Sequence, residues 1–196
     1  MIEVTRADSL GPAARHVVAT LLASAFADDF ASISTSTDRL ARAFEHIVIP
    51  ERFYVASVEG HPAGIATLTE GKQEVFAPRW APFRNSLGAI RGTIGHLVVR
   101  GAFMGADPGA EPGRAEIGFV GTMAEHQGKG VATALLTEMM ASSGHHTFVL
   151  RDIKDTNAPA LGLYRKLGFV EHSRRAVRFA RRAGFGAYVT VIRVCR

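Results

Sequence analysis

The sequence predicts an α+β fold, and three observations carry that prediction. Apolar runs of strand length are interspersed with longer runs of helical period. Two strand-like runs, Phe53–Val58 and Ala63–Thr69, flank Glu59-Gly60-His61-Pro62, a tight-turn sequence, and so form a hairpin. In the second half a strand-like run leads into a glycine loop, His126-Gln127-Gly128-Lys129-Gly130, from which a helical pattern starts.

Each element has a local cause. Ile2–Thr5 is a short first strand. A helix follows from about Pro12 to Ala27, and Asp28-Asp29 breaks its pattern. Thr37-Asp38 can cap a second helix, with Leu40, Ala43, Phe44 and Ile47 on one face and Pro50 as its stop. After the hairpin, residues 70–114 are rich in Gly, Pro and Arg at both ends. Their middle reads as an amphipathic helix, with Leu87, Ile90, Ile94, Leu97, Val98 and Met104 as its apolar stripe. Thr93, His96 and Arg100 lie opposite, and Arg91 sits at the edge. The segment is too short and too charged to span a membrane. It either closes over the core or forms a substrate wall or dimer surface. Then come a strand at Glu116–Met123, a helix from Val131 to about Ser142 stopped by Gly144, and a strand at Thr147–Asp152. A short helix from Asn157 to Leu167 closes at Gly168, and Phe169–His172 and Ala187–Val194 are the last strands. No repeat or flexible linker interrupts the chain, so residues 1–196 read as one domain with an insertion at about 70–114.

Composition bounds the function. The chain has 196 residues, 47% hydrophobic and 21% charged, an ordinary globular balance. Its net charge of +5 and pI near 9.9 suit anionic ligands in general, nucleic acid and phosphorylated cofactors alike. A plain solvated basic surface explains them equally well. Cys195 is alone, so no internal disulfide and no cysteine metal site can form. A reducing, cytoplasmic setting is expected. The start, MIEVTRADS, carries Glu3 and Asp8 and does not read as a signal peptide. His145-His146 lacks a third ligand, so no metal is expected. The arginines of 174–182 either contact an anionic partner or are simply exposed.

The glycine loop separates the phosphate-binding possibilities. A helix start offers unpaired N–H groups and the positive end of the helix dipole, which together suit phosphate. A Walker loop fails, because Lys129 is followed by Gly130 and the required earlier glycine is missing. A dinucleotide fingerprint also fails. Thr133 occupies its third small position, and only one βαβ unit surrounds the loop, although Asp152 stands at the distance of a ribose acid. The pattern [Q/R]-x-x-G-x-[G/A] fits fully as Gln127-Gly128-Lys129-Gly130-Val131-Ala132. About thirty residues later stands Asn157-Ala-Pro-Ala-Leu-Gly-Leu-Tyr164-Arg-Lys-Leu-Gly-Phe169.

With these two motifs in this order, the sequence resembles the GCN5-related N-acetyltransferase (GNAT) superfamily over most of its length. It departs at 70–114, where that family usually has a short link. The resemblance implies an α/β/α-layered fold with a mixed, mostly antiparallel sheet flanked by helices. Here a helical insertion would fall between the third and fourth strands. It also implies transfer of an acetyl group from acetyl-CoA, the co-substrate, directly to a primary amine of a small molecule or peptide. The implied cofactor contacts are Val120, Gly121 and Thr122 on the central strand, Gln127, Gly128, Lys129, Gly130, Val131 and Ala132 in the loop, and Asn157 beside the pantetheine arm.

The chemistry agrees with that implication. Pantetheine amides can pair with a strand edge, and a backbone N–H near Val120–Gly121 can stabilise the oxyanion. By the resemblance, Tyr164 is the acid toward the CoA sulfur. A free phenol titrates near ~10 and a thiol near ~8.5, so full proton transfer is uphill by roughly 2 kcal/mol. Hydrogen bonding alone can serve, and packing with Leu161 and Leu167 is the plain alternative. Glu116 is a candidate base for an ammonium acceptor, or a strand-end carboxylate paired with an arginine. Asp28 and Asp29 fall where the family often lines its acceptor site, and otherwise cap and break a helix. No membrane partner is expected, nucleic acid is disfavoured, and a homodimer stays open. Two other readings differ in class: a non-catalytic acyl-CoA sensor or docking module, and an acetyltransferase acting on an RNA-linked amine through Arg174–Arg182.

Overall fold

The computed structural model describes residues 1–102, 109 and 111–195. Seven strands form one sheet in the order β1-β2-β3-β4-β5-β7-β6. They are β1 (Ile2–Arg6), β2 (Phe53–Val58), β3 (His61–Glu70), β4 (Arg114–Thr122), β5 (Thr147–Lys154), β6 (Val170–Ala176) and β7 (Ala187–Val194). Only the β4–β5 pair is parallel. The helices are α1 (Ala14–Ala25), α2 (Thr37–Glu45), α3 (Trp80–Leu87), α4 (Ala89–Ala102), α5 (Val131–Ser142), α6 (Ala158–Lys166) and the short α7 (Ala180–Ala183). This is the layered, mostly antiparallel arrangement expected, with α3 and α4 inserted between β3 and β4.

Local chemistry sets most boundaries. Glu59 and Gly60 both take positive φ, which gives the β2–β3 hairpin a turn whose twist matches its strands. The second helix is capped by Ser36 rather than Thr37. The Ser36 hydroxyl accepts from the Arg39 N–H at 3.4 Å. The helix ends at Glu45, and Pro50 opens a separate turn instead of stopping it. Gly144 and Gly168 sit at positive φ just past α5 and α6, as helix stops do. β6 runs to Ala176, so Arg174 and Arg175 lie on a strand and not in the loop after it.

Two apolar clusters divide the core. One gathers α1, α2, the insertion and part of the sheet around buried Phe30, Phe44, Phe53, Phe76 and Phe83. Edge-on contacts link Phe30 to Phe44, with ring centroids 4.7 Å apart, and Phe76 to Phe119 at 5.3 Å. The insertion is therefore tied to the central strand through aromatic rings. The other cluster packs Leu135, Leu136 and Met139 of α5 against Ala66, Ile117 and Phe148, with Tyr164 and Phe169 beside them.

The insertion differs from its sequence pattern. The single predicted helix breaks at Gly88, where φ is 83°, and Leu87 belongs to α3. Most of the apolar stripe on α4 faces outward, with Ile90 78% exposed, Leu97 63% and Ile94 43%, while Val98 is partly buried against the core. The buried face is Gly92, Gly95 and Val99. A Cβ on Gly92 would lie 2.6 Å from the Arg84 Cα, and one on Gly95 3.0 Å from the Ile33 Cγ2. The glycines let α4 approach α3 and the core closely, and that close packing outweighs burial of the isoleucines. Met104 of the predicted stripe and the side chain of Arg182 lie outside the described residues.

Candidate active site

β4 and β5 pair only at Arg114–Glu116 with Thr147–Val149. Beyond that the strands part, and one edge of β4 loses its partner while the other stays on β3 as far as Thr122. The register shifts between Ile65 and Thr67, which marks a bulge at Phe119-Val120. Phe119 takes φ 43°, a costly conformation for a bulky side chain. The Phe26 and Phe76 rings, 5.6 and 5.3 Å from Phe119, hold it there. The outcome is a backbone edge open to a ligand, next to a turn of the strand.

The glycine loop closes one end of this opening. After a turn at Ala124–His126, Gln127 is extended and its Nε2 donates to the Thr122 carbonyl at 3.4 Å. Gln127 thus ties the loop to the end of β4. Gly128 and Gly130 sit at φ 72° and 82°, and Gly130 is the cap residue of α5. No side chain caps that helix and no acid stands in its first turn. The first N–H groups of α5 are left without helical acceptors, at the positive end of its dipole. A Cβ on either glycine would meet nothing within 4 Å, so the space beside the loop is open. This fits a pyrophosphate group.

Gly128, Gly130, Val131 and Ala132 line one cleft of about 690 Å³ with Val120, Gly121, Thr122, Gln127, Asn157 and Tyr164. Lys129 is exposed and does not line it. Gly121 has a packing reason to lack a side chain. A Cβ there would lie 2.8 Å from the Ala25 Cβ and 2.9 Å from the Phe26 ring, so α1 packing forbids it. Asn157 caps α6, its Oδ1 accepting from the Ala160 N–H at 3.2 Å. Its amide NH₂ takes no part in that cap.

Tyr164 is 5% exposed, and its ring stands edge-on to Phe169 with centroids 6.0 Å apart. Burial pushes its phenol well above the usual value near 10. The hydroxyl donates to no described residue, so it is a neutral donor in the cleft wall.

The remaining predicted residues divide. Glu116 does not line the cleft. Both its oxygens accept from Arg151, at 2.9 Å from Nε and 2.7 Å from Nη2, across the point where β4 and β5 part. That is the arginine-paired alternative, and the partner is 35 residues away in sequence. Asp29 reaches the cleft and pairs with the Lys154 Nζ at 3.0 Å. Asp28 is exposed and does not line the cleft. Arg174 is tied to Glu171 at 3.0 Å, and Arg175 to Asp152 at 2.8 Å with its guanidinium over the Tyr188 ring. Sequence reasoning missed Ala25, Phe26, His126, Pro159, Ala160 and Leu163, which also line the cleft. The helical spacing Asn157, Ala160, Leu163, Tyr164 was a usable signal for part of that set. Phe26 carried none, because only tertiary packing brings α1 to β4. No group of three or more metal-ligating side chains occurs among the described residues.

Comparison with known proteins gives concordant results. The model of the acetyltransferase (GNAT) family matches residues 18–169. No curated protein sequence matches. Among solved structures the chain is similar to an N-acetyltransferase from Staphylococcus aureus Mu50, with 20% identity and TM-score 0.63 over 98% of this chain and 100% of that one. It is similar to a GCN5-related N-acetyltransferase from Kribbella flavida, with 17% identity and TM-score 0.59 over 98% and 97%. It is also similar to a putative acetyltransferase from Salmonella typhimurium solved with its cofactor acetyl-CoA, with 17% identity and TM-score 0.54 over 100% and 95%. At these identities the likeness is one of fold.

Proposed function

The chain belongs to the acetyltransferase (GNAT) family, and on that premise we propose that the cleft between β4, α5 and α6 is where acetyl-CoA binds and reacts. The protein is an acetyl-CoA-dependent N-acyltransferase that passes an acetyl group to a primary amine. The observation that carries the site assignment is the convergence, in one cleft, of the uncapped α5 N-terminus, the unpaired β4 edge and the buried Tyr164.

The roles follow from chemistry. The N–H groups of Gly128 and of Gly130 to Ala132 hold the pyrophosphate, while that of Lys129 donates to the His126 carbonyl at 3.4 Å. The free β4 edge takes the amides of the pantetheine arm, and Asn157 adds a side-chain donor. The amine nitrogen attacks the thioester carbonyl, a C–N bond forms and the C–S bond breaks. Negative charge developing on the carbonyl oxygen meets a backbone N–H near Val120–Gly121. The departing sulfur takes a hydrogen bond from Tyr164. Holding the two reactants together supplies much of the rate, since proximity contributes up to ~7–11 kcal/mol. For Glu116 to take the acceptor's proton, its Arg151 pair must open; otherwise water carries that proton away.

The acceptor is a small-molecule or peptide amine. Asp29 reaches the cleft but is held by Lys154 at 3.0 Å, so it recruits a cationic amine only where that pair opens. An RNA-linked amine is the weaker reading, because Arg174 and Arg175 are engaged by carboxylates of this chain. No helix among the described residues is long and apolar enough to cross a membrane, and the free Cys195 accords with the cytoplasmic setting we infer. The test is thiol release from acetyl-CoA against a panel of primary amines, each run with and without enzyme. At least one amine should accelerate release, with acetylated amine as product. Release that no amine stimulates would count against transfer.

A further inference from the structure

The outward face of α4 combines apolar side chains with unpaired positive charge. Ile90, Ile94 and Leu97 recur at i, i+4 and i+7, so they share one stripe, and all three are exposed. The packed face is the opposite one, where Gly92 and Gly95 lie against α3 and Ile33, and Val99 is fully buried. At about 100° per residue, Arg91 falls on one flank of the stripe and Arg100 on the other. Both are exposed, and neither makes an ion pair with a described residue. Trp80 of α3, 47% exposed, adjoins α4 on the Arg100 side, its Nε1 donating to the Thr93 hydroxyl at 3.2 Å. The Arg84 guanidinium lies 4.9 Å from the centre of the Trp80 ring. Between Glu74 and Asp107 the chain carries Arg79, Arg84, Arg91 and Arg100 and no acidic residue. Neighbouring elements offer few free carboxylates. α2, packed on α3, matches Asp38 and Glu45 with Arg39 and Arg42, and Glu45 also meets His16 at 3.4 Å. The turn that holds Ile33 carries Asp28 and Asp29, and Asp29 is paired with Lys154.

Exposed apolar patches mark contacts with a protein or a membrane, and charge separates the occupants here. A second copy would set Arg91 and Arg100 against the same arginines across a two-fold axis. An anionic bilayer meets each feature. The stripe enters the interface, the arginine stems lie along it with their guanidinium groups among the phosphates, and a tryptophan stands at the boundary. α4 has 14 residues and is too short to span a bilayer, but lying in its surface requires only one apolar face. The sequence speaks against a membrane partner only by excluding a span. We propose that the α3–α4 insertion docks the protein on an anionic lipid surface, with Ile90, Ile94 and Leu97 in the interface and Arg91 and Arg100 among the headgroups. The inference does not rest on the acetyl-transfer reading.

The test is co-sedimentation of the full chain with vesicles of phosphatidylcholine and phosphatidylglycerol in equal parts, with pure phosphatidylcholine vesicles as the neutral control. The chain should bind the anionic vesicles, and the neutral ones about tenfold or more weakly. Trp80, the only tryptophan, reports the contact, and on anionic vesicles its emission should move to the blue and lose access to acrylamide. Ile90→Gln with Leu97→Gln should weaken binding about tenfold or more by removing apolar contact. Arg91→Gln with Arg100→Gln should do the same, at about fivefold per arginine. Both double variants should keep the wild-type Tm, because they change only an exposed face. The inference is overturned if anionic vesicles do not bind the chain, if they bind both variants as tightly as the wild type, or if Trp80 of the bound protein stays open to acrylamide. The last two results would place the lipid contact on another basic surface. Without vesicle binding, a dimer split by Ile90→Gln with Leu97→Gln would put a second copy on this face. Polyglutamate binding lost in Arg91→Gln with Arg100→Gln would put an acidic protein there.

Discussion

Replacing Tyr164 by Phe isolates one hydroxyl in a buried position. The ring is 5% exposed and packs on Phe169, and Phe keeps that ring. Stability should therefore change little. The chemical effect depends on what the hydroxyl does. An unperturbed phenol is already ~1.5 units weaker as an acid than a thiol, or about 2 kcal/mol uphill. Burial raises the Tyr164 phenol further and widens that gap. Full proton transfer to the sulfur is thus disfavoured, and a hydrogen bond to the developing thiolate is the effective contribution. Such a bond to a charged group is worth about 1.5–3 kcal/mol. At 1.36 kcal/mol per decade this corresponds to a roughly 10- to 150-fold loss of kcat. The assay is thiol release at saturating acetyl-CoA, with the best amine from the panel. Because the phenol stays neutral, kcat should show no falling limb from Tyr164 between about pH 8 and 10. The same shift has a stability sign: the native state keeps the proton that the unfolded chain loses near pH 10. Its contribution is intact below about pH 10 and is lost as pH rises above it toward the folded value. A Tyr164→Phe enzyme with wild-type kcat would refute the hydrogen-bond role and leave only packing.

Other predictions follow from the same geometry. Gly121→Ala forces a Cβ to 2.8 Å from Ala25 and should cost about 1–3 kcal/mol, a fall in Tm of several degrees by calorimetry. Gly92→Ala should destabilise by a similar amount, because its Cβ meets Arg84 backbone that cannot rotate away, whereas Ile90→Gln on the exposed face should stay within about 0.5 kcal/mol. Glu116→Gln removes a bidentate pair at the point where β4 and β5 part and should lower Tm. If its kcat–pH profile also loses its acidic limb, Glu116 is the base; if the profile keeps its shape, the carboxylate is a brace for the strands. Asp29→Asn should raise KM for a cationic amine several-fold and leave KM for acetyl-CoA unchanged, measured by steady-state kinetics.

The sequence was most legible where one residue type answers one backbone need. Gly128 and Gly130 hold positive φ at the start of α5, and Glu59-Gly60 make the hairpin turn, so both could be read locally. What escaped is set by distant packing. Apolar periodicity in α4 could not say which face would be buried, because Gly92 and Gly95 win the contact by allowing close approach. Arg151 could not be paired with Glu116 in advance, since only the β4–β5 register brings them together. Positive φ at Phe119 had no local signal either, as the surrounding rings impose it. Asp28 and Asp29 looked alike as neighbours, but the turn after α1 sends only Asp29 to the cleft.

The central claim is that this cleft holds acetyl-CoA on the Gly128–Ala132 backbone. It is tested most directly by calorimetric titration of acetyl-CoA into the wild type and Gly128→Asp. The variant places a side chain at φ 72° and a carboxylate where the pyrophosphate must lie. Single-site binding to the wild type, weakened about a hundredfold or more in the variant, is the predicted result. No binding to the wild type, or equal binding to both, would contradict the account.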